Sequence, residues 1–249
     1  MKYSNILLTG GSGKLGRALL TSKLKNRKIL APAKAEMDIT NFSQVESFFK
    51  NNKIDAVIHC AAFTSVPECE KNPVTAVEAN IVGTSNVVKA ALKKENTRLI
   101  YISTDYVYPC KNGPYSERDP AIPFTVYAWT KLGGECAIKA LKNHCIIRTS
   151  FFDPDNIKFD TAASDAFFSK IPINELVENI ISLLDSDFTG TINVGQERAS
   201  IYQILKKYKP SLRPMTVEEL SRDKPFDRAL DSSLDVGLWQ EISAKIKKI

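Results

Sequence analysis

Ile6-Leu7-Leu8-Thr9-Gly10-Gly11-Ser12-Gly13-Lys14-Leu15-Gly16 carries a short apolar run into a glycine-rich turn, and a helical pattern follows from Leu15 to about Leu24. Gly10, Gly13 and Gly16 stand in a G-x-x-G-x-x-G spacing between the predicted strand and the predicted helix. Glycines there let the backbone turn tightly and approach a pyrophosphate, which then rests on the helix N-terminus. Strand, turn and helix in that order predict a nucleotide-binding unit at the start of a parallel sheet. Gly10, Gly13, Lys14, Leu15 and Gly16 are the candidate residues facing the nucleotide.

Working outward, strands and helices alternate. Lys28 to Ala31 reads as a second strand, and Asn41 to Asn51 as a helix opened by Thr40. Ala56-Val57-Ile58-His59-Cys60-Ala61 is a continuous apolar run, predicting a strand buried on both faces with Cys60 as a small core residue. A long helix is predicted from Pro73 to Lys94, a strand from Arg98 to Ser103, a helix from Val126 to Lys142 and a strand from Cys145 to Arg148. Pro109 to Pro123 is a loop rich in Pro, Gly and charge. This alternation predicts an α/β fold, a Rossmann-like doubly wound parallel sheet with helices on both faces. After residue 150 the pattern changes. Leu176 to Leu184 is an amphipathic helix, Gly190 to Val194 a strand and Ile201 to Tyr208 a helix, while Asp153 to Lys170 has too little periodicity to assign. The expected organisation is a dinucleotide-binding domain over 1–150 and a small C-terminal substrate lobe over 151–249, packed across the end of the sheet.

The bulk properties narrow the function classes. The chain has 249 residues, 43% hydrophobic and 25% charged, which suits a soluble globular domain with at most a small lobe. Thirty-four basic and 28 acidic residues give a net charge of +6, but the charges are interspersed. The runs at Lys206-Lys207 and Lys245 to Lys248 are short, so a solvated surface explains them better than nucleic acid does. Five cysteines without a CxxC pair argue against a disulfide scaffold or a zinc site. Of the two histidines, His59 lies in a strand and His144 beside one, where structural roles suit them. Met1-Lys-Tyr-Ser-Asn enters a strand without a signal peptide, and no apolar run approaches the ~20 residues of a membrane helix. The expectation is a cytoplasmic protein with neither membrane nor nucleic acid as partner.

Two further segments carry chemistry. Ser103-Thr104-Asp105-Tyr106-Val107-Tyr108 ends an apolar strand with a hydroxyl donor, and Tyr127-Ala-Trp-Thr-Lys131 places a phenol and an ammonium four residues apart. On a helix those two side chains share a face, and a neighbouring cation is expected to lower the phenol pKa toward the working pH. Such spacing also arises by chance on exposed helices; here it follows a nucleotide signature and the strand-borne Thr104. Thr104, Tyr127 and Lys131 are the candidate catalytic residues. For the cofactor, an acid closing the second strand would favour NAD through the ribose hydroxyls. This chain instead runs into Pro32-Ala33-Lys34, with Glu36 only later. Lys14 and Lys34 are placed for a 2′-phosphate, so NADPH is expected ahead of NADH. Asp38, at the head of Asp38-Ile39-Thr40, is placed either for the adenine or as a turn or cap residue.

Together these residues resemble the extended short-chain dehydrogenase/reductases and, within them, the dTDP-4-dehydrorhamnose reductase group. The resemblance runs from Ile6 through Ser150. It covers the glycine turn, Asp38-Ile39-Thr40, Cys60-Ala61-Ala62-Phe-Thr-Ser-Val, Asn80, Ser103-Thr-Asp-Tyr-Val, Tyr127 with Lys131 and Glu135, and Arg148-Thr-Ser. Weaker similarity resumes at Ile173-Asn-Glu-Leu-Val and at Gly190 to Gly195. It implies hydride transfer from the nicotinamide to C4 of a nucleotide-linked 4-keto-6-deoxy sugar. Thr104 would bind the 4-keto oxygen, Tyr127 would deliver a proton to it, and Lys131 would bind the nicotinamide ribose. Ile39, Ala61, Ala62 and Asn80 would line the cofactor channel, with Asp105 and Phe151 beside the sugar.

The chain departs from the group at three places. Phe151 stands where many relatives have Trp, some tens of residues are missing after Phe152, and Cys110 occupies a loop position that is more often small or acidic. Two other readings accompany the reductase. One is a bifunctional 3,5-epimerase/4-reductase; related enzymes place a Cys near the position of Asp105, and Cys110 would have to substitute. The other is a non-catalytic dinucleotide-binding regulatory subunit, as in methionine adenosyltransferase, which the shortened lobe suits. A homodimer is a further expectation, with Pro73 to Lys94 and Val126 to Lys142 as the pairing helices; Val77, Ile81, Val88 and Leu92 would otherwise pack on the sheet.

Overall fold

In the computed structural model, which describes residues 2–221 and 229–246, strand β1 (Asn5–Thr9) passes through the glycine turn into helix α1 (Lys14–Leu20). α1 stops short of Leu24, and a 3-10 turn at Lys23–Asn26, capped by the Ser22 side chain, leads to β2 (Lys28–Leu30). Helix α2 (Phe42–Asn51) is opened by Asn41, whose side chain accepts from Gln44 N at 3.2 Å. The expected cap Thr40 is instead bound to Asp38. After β3 (Ala56–His59) come α3 (Val66–Lys71) and one long helix in three pieces: α4 (Pro73–Val77), a π-helical turn at Glu78–Val82, and α5 (Gly83–Leu92). β4 (Arg98–Ile102), α6 (Val126–Ile138) and β5 (His144–Thr149) complete the alternation.

Beyond residue 150 the elements are short. β6 (Phe151–Phe152), β7 (Thr161–Ala163), β8 (Phe167–Phe168) and β9 (Ile171–Pro172) precede the long helix α7 (Ile173–Asp185). β10 (Gly190–Val194), β11 (Ala199–Ser200), α8 (Ile201–Lys206), β12 (Arg213–Met215), α9 (Val217–Ser221) and α10 (Gly237–Ile246) follow. Of the lysine run at 245–248, Lys247 and Lys248 lie outside the described residues.

Six strands form one parallel sheet in the order β2-β1-β3-β4-β5-β10. The strand from Gly190–Val194 is therefore the edge of this sheet, paired residue for residue with Cys145 to Thr149. A division at residue 150 cuts through the sheet; what lies over its end is the set of two-stranded pairs β6–β9, β7–β12 and β8–β11 with α8.

The strand residues explain the two faces. Ile6, Leu8, Ile58, Ile100 and Ile147 point to one side and are fully or nearly fully buried under α1, α7 and Trp239 of α10. Leu7, Val57, Leu99, Tyr101 and Ile146 point to the other, under α2, α5 and Ile138 of α6. Successive strand side chains alternate between faces, so a run apolar at every position must be covered twice. Each fully buried Leu or Ile contributes about 1.5–3 kcal/mol. Val88 packs into this core, whereas Val74, Val77 and Leu92 of the long helix and Trp129 of α6 are exposed.

A buried polar network ties α6 to the sheet. Arg148 of β5 donates twice to Glu135, from Nε at 3.1 Å and from Nη2 at 2.7 Å. Its Nη1 donates to the Tyr108 hydroxyl at 2.9 Å, and Ser103 Oγ donates to Glu135 at 2.6 Å. Tyr108 also meets Asn193 of β10 at 3.1 Å. Both members of the ion pair are out of solvent, with side-chain exposures of 5% and 0%. Glu135→Ala strands the guanidinium and is expected to cost about 3–5 kcal/mol in urea unfolding, whereas Glu135→Leu with Arg148→Met recovers most of that loss. A Glu135→Ala protein as stable as the parent would show that the pair carries no weight.

Candidate functional site

Strand order reverses on either side of β1, so the carboxyl ends of β1 and β3 open a crevice where α/β sheets bind ligands. That crevice is the mouth of a cleft of about 1050 Å³ running from Gly10 to Lys170. Gly10 has φ +71, in the left-handed region, and a Cβ there would lie 2.6 Å from Ala61 N. A Cβ on Gly16 would lie 2.2 Å from Gly10 O. The turn is thus packed too closely for side chains, leaving backbone N–H groups at the start of α1 facing the cleft. This arrangement fits a dinucleotide pyrophosphate.

A buried hydrogen-bonded chain fixes the turn against β3. Ala61 N donates to Thr9 Oγ1 at 3.2 Å, Thr9 Oγ1 meets His59 Nδ1 at 2.6 Å, and His59 Nε2 meets Thr84 Oγ1 at 3.0 Å. Both ring nitrogens of His59 are thus engaged by threonine hydroxyls, one on each side of the ring. Burial drives the His59 pKa down to about 3, with Lys131 adding to the effect, so the ring is neutral and structural. Cys60, expected in the core, lies just past β3, partly buried, and lines the cleft beside Ala61 and Ala62.

At the far end of β2, Lys14, Lys34, Asp38 and Ile39 border the same cleft. Glu36 Oε2 accepts from Ala33 N at 2.7 Å, which ties this carboxylate to its own turn. Asp38 accepts from Thr40 N at 2.9 Å and Thr40 Oγ1 at 2.8 Å, and lies 3.6 Å from Lys34 Nζ. Burial raises its carboxyl pKa, but the Thr40 hydrogen bonds and the Lys34 ammonium outweigh that and hold it low. Asp38 is thus a turn-forming residue on the cleft edge, and no carboxylate closes β2.

Asn80 is not on the cleft wall. The π-helical turn that contains it points its side chain inward, fully buried. There it accepts from Phe63 N at 2.7 Å and donates to Phe63 O at 3.0 Å and Thr130 Oγ1 at 2.8 Å. With both amide groups engaged, it braces the loop after β3 against α6. Turns of this kind recur at functional sites because they re-aim one side chain.

α6 brings Tyr127 and Lys131 to the cleft one turn apart, starting from Thr125, whose side chain accepts from Ala128 N. Thr104 reaches the same cleft from the end of β4. Its hydroxyl donates to Asp105 Oδ1 at 3.1 Å and accepts from Tyr106 N at 3.2 Å. Burial raises the Tyr127 phenol above its ordinary pKa, with the Thr104 hydroxyl acting against that. Burial also pulls the Lys131 ammonium down to about 7, opposed by Glu135. The expected lowering of the phenol by its lysine is therefore reversed, because desolvation moves each group toward its neutral form. Tyr127 keeps its proton at neutral pH, as an acid must. The Lys131 ammonium sits 4.1 Å from the centroid of the Tyr101 ring.

Asp105 is buried, and burial raises its carboxyl pKa against the opposing effects of Lys170, Ser232 and Thr104. Ser232 Oγ donates to its Oδ2 at 2.7 Å, 127 positions along the chain. Phe151 lines the cleft with Ser150 and Lys170. Sequence reasoning reached Ser150 only as part of the Arg148-Thr-Ser motif, with no role, and missed Lys170 and Ser232. No periodic signal marks them, since the β6–β9 pairing and the Asp231 to Ser233 segment bring them in. Cys110, by contrast, is turned away from the cleft. It is buried, its Sγ donates to Tyr108 O at 3.1 Å, and burial pushes its thiol pKa up, with Asp105 and Asp231 adding.

Known proteins share this arrangement. Residues 4–156 match the family described as the RmlD substrate binding domain. The dTDP-4-dehydrorhamnose reductase of Mycolicibacterium smegmatis is 37% identical over 150 residues, 59% of this chain and 45% of that protein. That of Aggregatibacter actinomycetemcomitans is 36% identical over 152 residues, 59% of this chain and 51% of that protein. The chain thus spans about half the length of these two relatives. The crystal structure of the Bacillus anthracis dTDP-4-dehydrorhamnose reductase in complex with NADP superposes with a TM-score of 0.85 at 26% identity, covering 100% of this chain and 98% of that one. With more than half of its residues matched, among them five of the six sheet strands and the glycine turn, this chain belongs to the RmlD substrate binding domain family, in the dTDP-4-dehydrorhamnose reductase group of the extended short-chain dehydrogenase/reductases.

Proposed function

We propose that the protein is an NADPH-dependent reductase of the 4-keto group of a nucleotide-linked 4-keto-6-deoxy sugar, of the dTDP-4-dehydrorhamnose type. The observation that carries this reading is the convergence of Thr104, Tyr127 and Lys131 at one end of a cleft whose other end is the glycine turn. A bound nicotinamide supplies hydride to the carbonyl carbon. The Thr104 hydroxyl turns from Asp105 to hold the carbonyl oxygen, and Tyr127 gives it a proton as negative charge develops there. Lys131, when charged, stabilises the phenolate that results and holds the ribose. Gly10, Gly13, Leu15 and Gly16 seat the pyrophosphate, Ile39, Ala61 and Ala62 flank the nucleotide, and Lys14 with Lys34 faces the 2′-phosphate. Asp105 and Phe151 bound the sugar. The exposed Val74, Val77 and Trp129 support pairing of two copies through the α4 and α6 face. A bifunctional epimerase is disfavoured because the buried Cys110 thiol is bonded away from the cleft.

The expected outcome is oxidation of NADPH with dTDP-4-keto-6-deoxyglucose only when a separate 3,5-epimerase is added. Product without the epimerase would restore the bifunctional reading. Silence in every mixture, with NADPH still raising the melting temperature, would favour a regulatory subunit.

Tyr127→Phe should lower kcat by about 10²–10⁴-fold, the range of general acid catalysis, while NADPH still shifts the melting temperature as in the parent. Unchanged turnover would remove Tyr127 as the acid.

Lys131, with its pKa near 7, sets a pH dependence. The cation is the useful form, so kcat/KM for NADPH, which reports the free enzyme, should fall by about tenfold per pH unit above that value. A profile flat across the alkaline range would show that the charge of Lys131 is not required.

A further inference from the structure

Among the described residues, the cleft holds one cation that the proposed reaction leaves unused. Lys170 lines it beside Ser150 and Phe151, partly buried. Its Nζ donates to Ser150 Oγ at 2.7 Å and stands 5.3 Å from the centroid of the Phe168 ring. Among the described residues no carboxylate forms an ion pair with it. Asp105 is the acid that acts on it electrostatically, yet the hydrogen bonds to the Asp105 oxygens come from the Thr104 and Ser232 hydroxyls. An ammonium has three donors, and a neutral serine oxygen accepts only one of them. Placing a charge there is costly unless an acceptor of opposite charge arrives.

The backbone does not let the residue swing away. Ile171 N donates to Ser150 O at 2.9 Å, and Gln196 N donates to Ser169 O at 3.1 Å. Ser169 Oγ donates to Leu234 O at 3.2 Å. The lysine stem therefore starts from a pinned point on the cleft wall. We propose that Lys170 anchors an oxyanion of the substrate, a phosphate or carboxylate oxygen of the molecule whose carbonyl meets Thr104 and Tyr127. The choice of substrate rests on the reductase reading; the anion site rests on the geometry around Lys170.

The test compares the parent protein with Lys170→Met and Lys170→Arg in saturating NADPH. Calorimetry measures affinity for dTDP, inorganic pyrophosphate and D-glucuronate. A hydrogen-bonded charge pair corresponds to a loss of about 10–100-fold in Lys170→Met for the probe that carries the right anion. Lys170→Arg should stay close to the parent, and NADPH affinity should not move. Loss confined to dTDP and pyrophosphate identifies the anion as a phosphate, and loss confined to D-glucuronate identifies it as a carboxylate. Equal affinities in parent and Lys170→Met, equal losses in both variants, or no binding of any probe by the parent would each overturn the proposal. If dTDP binding depends on Lys170 but no keto sugar is reduced, the reductase reading fails and the anion site stands. If the keto sugar is reduced with the same KM by Lys170→Met, the reverse holds.

Discussion

The pairing of Glu135 with Arg148 is the contact on which the placement of the reacting groups depends. Tyr127, Lys131 and Glu135 lie at successive four-residue steps along α6, so seating one of them seats the others. Glu135 sits at zero exposure, and only a bidentate guanidinium with the Ser103 hydroxyl makes that tolerable. The phenol and the ammonium are thereby held against the ends of β4 and β5 by a bond one turn beyond Lys131 on the same face of the helix. Arg148 extends the same link through Tyr108 to Asn193, so the last strand of the sheet also bears on the helix.

Burial governs the electrostatics of the cleft more than neighbouring charge does. Tyr127, Lys131, Asp105 and Lys170 all move toward their neutral forms, and desolvation is the largest cause in each case. Burial keeps the phenol protonated and lowers the pKa of both lysines. It also strengthens every hydrogen bond made to an incoming carbonyl oxygen. The same burial fixes His59 as a neutral link between Thr9 and Thr84.

Much of this was legible in the sequence because it depends on local rules. The glycine turn, the double-faced apolar strands and the Tyr127–Lys131 step each follow from spacing within a single element. Thr104, Asp105, Ala61 and Phe151 also stand at the cleft as the motifs suggested. What escaped depends on distant partners. The inward rotation of Asn80 needs a π-helical turn that no local pattern announces. The reversal of the Tyr127 pKa needs the closed surroundings of the ring. Lys170 and Ser232 arrive through pairings across short strands and loops whose sequences carry no period. Gly190 to Val194 was recognisable as a strand, but its pairing with β5 is a fact of topology and not of composition.

That last pairing bears on what covers the edge of the sheet. Until residues 190–194 arrive, the open side of β5 presents Cys145-Ile146-Ile147 with unpaired peptide groups. Such a flat apolar edge is a template on which another chain can add a strand. A fragment ending near residue 150 keeps the nucleotide turn and the reacting residues but leaves that edge uncovered. Self-association, rather than loss of chemistry, is then the hazard that sets how short this chain can be made.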